Sequence, residues 1–166
     1  MKADWQSHHI EGYAHAAIIR GIDPHIDCEL LTHTYTDASG GELWQGGCVD
    51  GVDLTPEGFD QIISLYPWEK YIAGEHTEIV EIKAYDSPDQ DPAVFAGAAL
   101  MAASLVSQGK KVLVHCQAGL NRSGVVTALA LINLGYTADA AIALMREKRS
   151  PLVLCNEAFE NWVREQ

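Results

Sequence analysis

The sequence predicts an α/β fold, with a small mixed, mainly parallel central sheet flanked by helices. Two observations lead to this prediction. Short apolar runs typical of buried strands alternate with helix start signals, and a group of helices closes the chain. The 166 residues contain no repeat and no low-complexity tract. A single domain is therefore predicted, in which residues 1–40 form an N-terminal extension of uncertain role.

Five segments have the apolar, β-branched composition of short strands. The segment 37–41, Asp-Ala-Ser-Gly-Gly, separates the first two of them. Because Gly and Asp adopt turn dihedral angles at little cost, these two strands are predicted to form a hairpin. The predicted strands are 29–35, 43–45, 62–65, 77–83 and 111–115.

Helix starts are marked twice by a capping residue followed by proline. Thr55 precedes Pro56, which predicts a short helix with Thr55 as its N-cap. Asp91 precedes Pro92, and the Ala- and Leu-rich segment behind them is predicted to be a helix that stops at Gly109. The remaining predicted helices are 125–134, 137–148, and a last one capped by Asn156.

The charge balance limits the partners that the chain can have. It carries 23 acidic against 11 basic residues, a net charge of −12. An acidic surface repels nucleic acid and anionic lipid, so neither nucleic acid nor a membrane is predicted as a partner. The N-terminal segment lacks the pattern of a signal peptide, and the apolar stretches are too short to span a bilayer. A cytoplasmic location is therefore predicted.

The most informative segment joins the predicted strand 111–115 to the following helix. A tight, glycine-containing loop at a helix N-terminus can gather backbone amides around an anion. The same field stabilises the thiolate of Cys116, since cysteines in such positions have pKa values of roughly 3.5–7.5. Arg122 offers a planar fork for two phosphate oxygens. Ser123 can donate a hydrogen bond to the sulfur, which eases its departure.

A structural role for Cys116 is the alternative, because unpaired cysteines are often buried. That role does not require His115 before the cysteine, a glycine after it, or Arg-Ser-Gly at 122–124. The sequence therefore favours a nucleophilic cysteine in an anion-binding loop.

This segment resembles the signature loop of the cysteine-dependent protein tyrosine phosphatases, and most closely that of the small dual-specificity subgroup. The resemblance rests on His115-Cys116, five intervening residues, and Arg122-Ser-Gly124. Weaker similarity extends to residues 43–46, 62–65 and 156–159. It implies a phosphatase with a phosphocysteine intermediate, no cofactor and no metal. The implied phosphate-binding residues are Gln117, Ala118, Gly119, Leu120, Asn121 and Arg122, and the implied supporting residues are His115 and Asn156.

The resemblance also implies a general acid, an Asp about thirty residues before the cysteine, which protonates the leaving oxygen. Asp86 follows the strand-like run 77–83 and matches the family's Ala-x-Asp pattern, so it is the predicted acid. Asp89 and Asp91 remain alternatives. Asp91 has a competing role as a helix cap, and Asp89 has the setting of a solvated turn residue.

The other histidines and cysteines are predicted to have no role in metal binding or catalysis. His8, His9 and His15 are predicted to be exposed or partly packed, and metal binding by them is the less favoured alternative. Cys28, Cys48 and Cys155 form no CxxC pair and are predicted to be reduced. They are candidates for resolving an oxidised Cys116, but bystander thiols are the simpler interpretation.

The predicted substrate is a phosphorylated protein side chain: phosphotyrosine, with phosphoserine and phosphothreonine as further candidates. The loop positions 117–121 are uncharged, and Arg122 follows them as the one cation. The lack of further cations argues against multiply phosphorylated lipids and RNA 5′ ends as substrates. Alternatives are a phosphatase of a non-protein phosphate ester, a phospho-residue binding module of the same fold, and a sulfur transferase or arsenate reductase.

Overall fold

The computed structural model describes residues 28–166. Within this range the chain forms one sheet of five strands, which are β1 Leu31–Thr36, β2 Glu42–Gly46, β3 Gln61–Ser64, β4 Glu78–Glu81 and β5 Lys111–His115. The strands lie in the order β1-β2-β5-β3-β4. The predicted hairpin is present, since β1 pairs with β2 in antiparallel fashion. The pairs β2–β5, β5–β3 and β3–β4 are parallel, so the predicted mixed, mainly parallel sheet is confirmed.

The helices of the described range pack against one face of the sheet. They are α1 Val94–Ser107, α2 Arg122–Asn133, α3 Ala138–Lys148 and α4 Glu157–Arg164. The predicted cap of α4 is present, because the Asn156 side chain accepts a hydrogen bond from the amide of Ala158. Thr137 caps α3 in the same way.

Two helix starts differ from the prediction. The segment Thr55–Glu57 forms a single 3₁₀ turn, and the predicted cap at Thr55 is wrong. Instead, the Asp53 carboxylate accepts a hydrogen bond from the Thr55 backbone amide at 2.8 Å. Asp53, two residues before Thr55, therefore closes the turn. Helix α1 begins at Val94, slightly later than expected, although Asp91 does accept from the Ala93 amide at 2.9 Å.

The core lies on both faces of the sheet, and β5 contributes to both. Val112 and Val114 are fully buried against the helices, whereas Leu113 is fully buried against the loops on the opposite face. This alternation follows from the two-residue period of a strand. Helix α2 is buried from Arg122 to Leu131, so it lies between the sheet and the other helices. The loop between β5 and α2 is therefore anchored at both ends in the core.

The N-terminal part of the chain contributes to the sheet through β1, which lies within the predicted extension 1–40. Residues 1–27 of the predicted extension lie outside the described range, and so do the histidines in the segment 8–15. Between residues 28 and 166, no helix has the length and apolar character needed to cross a membrane.

Candidate active site

The signature loop, residues 115–124, packs tightly against the end of β2. The Cys116 amide donates to the Gly46 carbonyl at 3.2 Å, and the Cys48 amide donates to the Gln117 carbonyl at 3.0 Å. Gly119 adopts a positive φ of 72°, and a side chain there would place its Cβ 2.6 Å from the Gly46 oxygen. Both the conformation and the close approach therefore require glycine in the middle of the loop.

Cys116 lies at the floor of this loop, with none of its surface exposed. Its Sγ is 3.4 Å from Oγ of Ser123, within hydrogen-bonding distance for sulfur. The side-chain amide of Gln45 donates to the same hydroxyl oxygen at 3.4 Å and to the Gly119 carbonyl at 3.0 Å. Because the Ser123 oxygen accepts from Gln45, its own proton can point to the sulfur. Sequence reasoning missed this role of Gln45, whose only signal is a polar residue in a buried strand.

Arg122 is held in place from two sides. It is 3% exposed, and its Nη1 donates to the Ala84 carbonyl at 3.0 Å. The guanidinium carbon lies 5.1 Å from the centroid of the Tyr66 ring, a cation–π distance. The predicted phosphate-binding fork is thus oriented by the segment that precedes the predicted acid and by the segment after β3.

A second buried arginine, Arg149, organises the far side of the signature loop. Its Nε donates to the Gly119 carbonyl at 2.7 Å, and its Nη2 donates to the Ala118 carbonyl at 3.4 Å. Its Nη1 donates to Oγ1 of Thr32 at 2.8 Å and to the Glu29 carbonyl at 3.0 Å. In a trans peptide unit the N–H points opposite to the C=O. Arg149 holds the Ala118 and Gly119 carbonyls on its own side of the loop. The N–H group that follows each carbonyl therefore points away from Arg149, which is the orientation that an anion-binding loop requires.

His115 supports the loop from the opposite face of the sheet. Its Nδ1 is 3.4 Å from the Cys116 carbonyl oxygen, and its ring packs edge-on against Tyr71 with the centroids 5.1 Å apart. The Tyr71 hydroxyl in turn donates to the Gly47 carbonyl at 2.6 Å. Burial lowers the pKa of His115 to about 4, so the ring is neutral at pH 7. This setting agrees with the predicted supporting role and not with a general base.

Two side-chain amides hold the Asp86 carboxylate. Asn121 Nδ2 donates to one oxygen at 3.0 Å, and Asn156 Nδ2 donates to the other at 3.1 Å. The backbone N–H of Asn156 also donates to Oδ1 of Asn121 at 2.9 Å. The acid loop, residues 82–93 between β4 and α1, is thereby joined to the signature loop and to the start of α4.

The other two candidate acids have different surroundings. The Asp91 carboxylate accepts from the Ala93 amide, and the Asp89 backbone amide donates to Oγ of Ser87 at 3.2 Å. Neither side chain lines the cleft described next. The geometry therefore favours Asp86 as the general acid, and its catalytic role remains a prediction.

An open cleft of about 920 Å³ lies above the signature loop. It combines the predicted acid, the predicted phosphate-binding arginine and a set of aromatic rings. Its lining residues are Tyr66, Trp68, Lys83, Tyr85, Asp86, Gln117, Asn121, Arg122, Cys155 and Asn156.

The remaining cysteines differ in their accessibility. Cys155 is exposed and lines the cleft, and its Sγ is 3.4 Å from Nδ2 of Asn121. Cys48 is buried, and burial raises the pKa of its thiol, which disfavours the thiolate. Within residues 28–166, no three His, Cys, Asp or Glu side chains cluster as metal ligands.

A thiol at the floor of a strand-to-helix loop, an arginine at the start of that helix and a nearby carboxylate define the class of cysteine-dependent phosphatases. The model of the dual specificity phosphatase catalytic domain matches residues 52–166. The chain therefore belongs to the dual specificity phosphatase family. The predicted family and enzyme class, a cysteine-dependent protein tyrosine or dual-specificity phosphatase, are confirmed.

Individual relatives agree with this assignment. A predicted tyrosine phosphatase named 123R, from Invertebrate iridescent virus 6, is 32% identical over 118 residues, which are 70% of this chain and 81% of the viral protein. The PRL-1 phosphatase of Drosophila melanogaster is 55% identical over 38 residues, which are 23% of this chain and 22% of that protein. Human DUSP28 has a similar fold, with a TM-score of 0.66, 17% identity, and coverage of 82% of this chain and 91% of that structure.

Proposed function

We propose that this phosphatase removes phosphate from protein side chains through a phosphocysteine intermediate on Cys116. The observation that carries the proposal is that two separate segments, the signature loop and the acid loop, meet at one cleft. Cys116, Arg122 and Ser123 belong to the signature loop. Asp86 belongs to the acid loop and is held at the cleft by two side-chain amides. A reducing, cytoplasmic environment suits an enzyme whose nucleophile must remain a thiolate.

In the first step the Cys116 thiolate attacks the phosphorus, and the bond from phosphorus to the ester oxygen breaks. Arg122 and the loop amides bind the equatorial oxygens, where charge is concentrated in the transition state. Protonated Asp86 donates its proton to the departing oxygen, which leaves as a neutral hydroxyl group.

In the second step a water molecule attacks the phosphorus of the phosphocysteine, and the phosphorus–sulfur bond breaks. Asp86, now a carboxylate, takes the proton from that water. The electron pair of the broken bond returns to Cys116, and the Ser123 hydroxyl stabilises the leaving thiolate by a hydrogen bond. Phosphate is released, and Asp86 is protonated for the next cycle.

The burial of Cys116 adds one requirement to this mechanism. Cys116 is 0% exposed in this structure, so the groups that cover the sulfur have to move before phosphorus can approach it. Motions of this kind, on the microsecond to millisecond scale, accompany substrate binding in many enzymes.

A protein substrate is favoured by the charges around the cleft. The signature loop carries no lysine, and Arg122 is its one cation, whereas a multiply phosphorylated inositol ring needs several cations. The fold neighbour PTPMT1 has been solved with PI(5)P, but at 17% identity the likeness extends to the fold alone. The net charge of −12 also opposes an anionic membrane surface or nucleic acid as a partner.

The proposal is tested by hydrolysis of an aryl phosphate and of phosphopeptides, with and without a chelator. We expect turnover that survives the chelator, is blocked by vanadate and disappears in Cys116→Ser. Acid quenching during turnover should trap one phosphoryl group on the peptide that contains Cys116. Unchanged hydrolysis in Cys116→Ser, or phosphate trapped on another residue, would refute the mechanism. Hydrolysis of free phosphate esters without any phosphopeptide turnover would refute the protein substrate.

A further inference from the structure

Three aromatic rings form a continuous wall along the cleft, running outward from Arg122. Tyr66 lies against the Arg122 guanidinium, Trp68 is next, with 5.1 Å between ring centroids, and Tyr85 follows at 5.7 Å. Trp68 is 47% exposed and Tyr85 55% exposed. Neighbouring apolar rings left in contact with water are typical of a binding surface. This aromatic wall links the phosphate-binding arginine to the mouth of the cleft.

Lys83 lies at the outer end of the aromatic wall. Its Nζ is 5.5 Å from the centroid of Trp68 and 5.9 Å from that of Tyr85. Between residues 28 and 166, no carboxylate forms a salt bridge with Lys83. Together with Arg122, it provides the positive charge of the cleft lining, in a chain whose net charge is −12.

We propose that Lys83, Trp68 and Tyr85 form a subsite for an acidic side chain next to a phosphotyrosine. This inference rests on the proposed function and narrows its substrate to acidic phosphotyrosine segments of proteins. With the phosphoryl group at Arg122, an aryl ring can pack along the aromatic wall, whereas the short stems of phosphoserine and phosphothreonine leave the wall uncovered. Neighbouring residues in an extended peptide are about 3.3–3.6 Å apart, so a flanking Asp or Glu is carried along the cleft towards Lys83.

The cation–π contacts strengthen this inference. They restrict the long lysine side chain over the rings, so that less rotamer entropy is lost when a carboxylate binds. A simpler role for Lys83, covering the exposed rings with its aliphatic stem, depends on the shape of the side chain and not on its charge. Substitutions that separate shape from charge therefore distinguish the two roles.

The experiment compares kcat/KM for two phosphotyrosine peptides that differ only in flanking Glu or Gln residues. The enzymes are wild type, Lys83→Met, Lys83→Arg and the control Lys148→Met, which removes an exposed lysine outside the cleft lining. We expect wild type to prefer the Glu peptide about 3- to 5-fold, as for an exposed ion pair, mainly through KM. Lys83→Met should abolish the preference, whereas Lys83→Arg and Lys148→Met should retain it.

The subsite is refuted if the ratio of kcat/KM for the Glu peptide to that for the Gln peptide is the same in wild type and Lys83→Met. It is also refuted if Lys148→Met loses the preference to the same extent as Lys83→Met. The matched phosphoserine peptide serves as a further arm, and turnover equal to that of phosphotyrosine also contradicts the inference. So does preferential hydrolysis of a phosphoinositide in vesicles. If aryl phosphate and both peptides are hydrolysed equally well, the subsite fails and the proposed function stands. If aryl phosphate is hydrolysed and neither peptide is, both fail.

Discussion

The signature loop and the acid loop supply the two halves of the proposed reaction, but they are built differently. The signature loop is buried and braced through its backbone by Arg149 and Gln45. The acid loop lies near the surface, and its carboxylate is held through side chains, by Asn121 and Asn156. The proposed nucleophile is therefore part of the core, whereas the proposed acid lies on a surface loop that side-chain hydrogen bonds attach to the core. Changes around the first should affect stability and rate together, and changes around the second should affect the rate alone.

Removing the brace of the signature loop should have the largest effect. In Arg149→Met several buried carbonyl groups lose their donor, so we expect the free energy of unfolding to fall by about 3 kcal/mol or more, with loss of activity. Arg164→Met, which removes exposed salt bridges to Asp139 and Glu160, is the control and should cost about 1 kcal/mol or less. Urea denaturation measures both. Equal stability of the two variants would contradict the structural importance of Arg149.

Asp86→Asn should slow the reaction about 10²- to 10⁴-fold for substrates with poor leaving groups, because the leaving oxygen loses its proton donor. The free energy of unfolding should stay close to that of wild type. An aryl phosphate whose leaving group needs no proton should be affected much less in the first step. Stopped-flow kinetics over a series of leaving groups measures this. The assignment is wrong if Asp86→Asn is fully active and Asp89→Asn is not.

His115 links the signature loop to pH. Burial holds its pKa at about 4 against an ordinary 6.5, so below pH 6.5 the unfolded chain binds a proton that the folded chain does not. The neutral ring therefore contributes its full stability above pH 6.5, and this is lost as the pH falls to about 4, up to about 3 kcal/mol. Urea denaturation of wild type and His115→Gln between pH 4 and pH 7 tests this. The expectation fails if the two curves stay parallel.

Asn121→Ala removes one of the two donors to Asp86 and should lower kcat by about 10-fold, since the carboxylate is less well positioned. Asn133→Ala, at the exposed C-terminal end of α2, is the control. A kcat for Asn121→Ala equal to that of wild type would show that Asn156 alone positions the acid.

The smallest effect is expected for Gln45→Leu, which keeps the volume but removes the donor to Ser123. The Gly119 carbonyl also loses Gln45 as a donor but still accepts from Arg149. Hydrolysis of the phosphocysteine should slow by about threefold, as for one neutral hydrogen bond, while its formation is unchanged. Burst kinetics separate the two steps, and a larger burst is expected. A slower burst with no change in its size would place Gln45 in the first step instead.

Much of this architecture could be predicted because its signals are local in the sequence. The spacing from Cys116 to Arg122, the turn before β2 and the cap at Asn156 each depend on residues a few positions apart. The prediction of Asp86 came from the family's Ala-x-Asp pattern and from its spacing of about thirty residues from Cys116, and the structure places this residue in the cleft. The error at Thr55 arose because two residues, Asp53 and Thr55, offer the same capping chemistry.

The braces of the site could not be predicted because they join distant segments. Arg149 and Gly119 are 30 residues apart, and Gln45 and Ser123 are 78 apart. The strand order brings β2 beside β5, and only that neighbourhood places Gln45 under the loop. The aromatic wall has the same origin, since Trp68 follows β3 and Tyr85 follows β4.

The exposed thiol of Cys155 affects how chemical labelling of this enzyme must be interpreted. A bulky maleimide will meet Cys155 at the cleft wall before it reaches the buried Cys116. The adduct would fill the entrance and stop turnover, and a competing oxyanion would protect against it, although the nucleophile was never modified. Inhibitor screens based on thiol reactivity therefore need Cys155→Ser as their reference protein. The same thiol offers an attachment point for a fluorophore that reports on what enters the cleft.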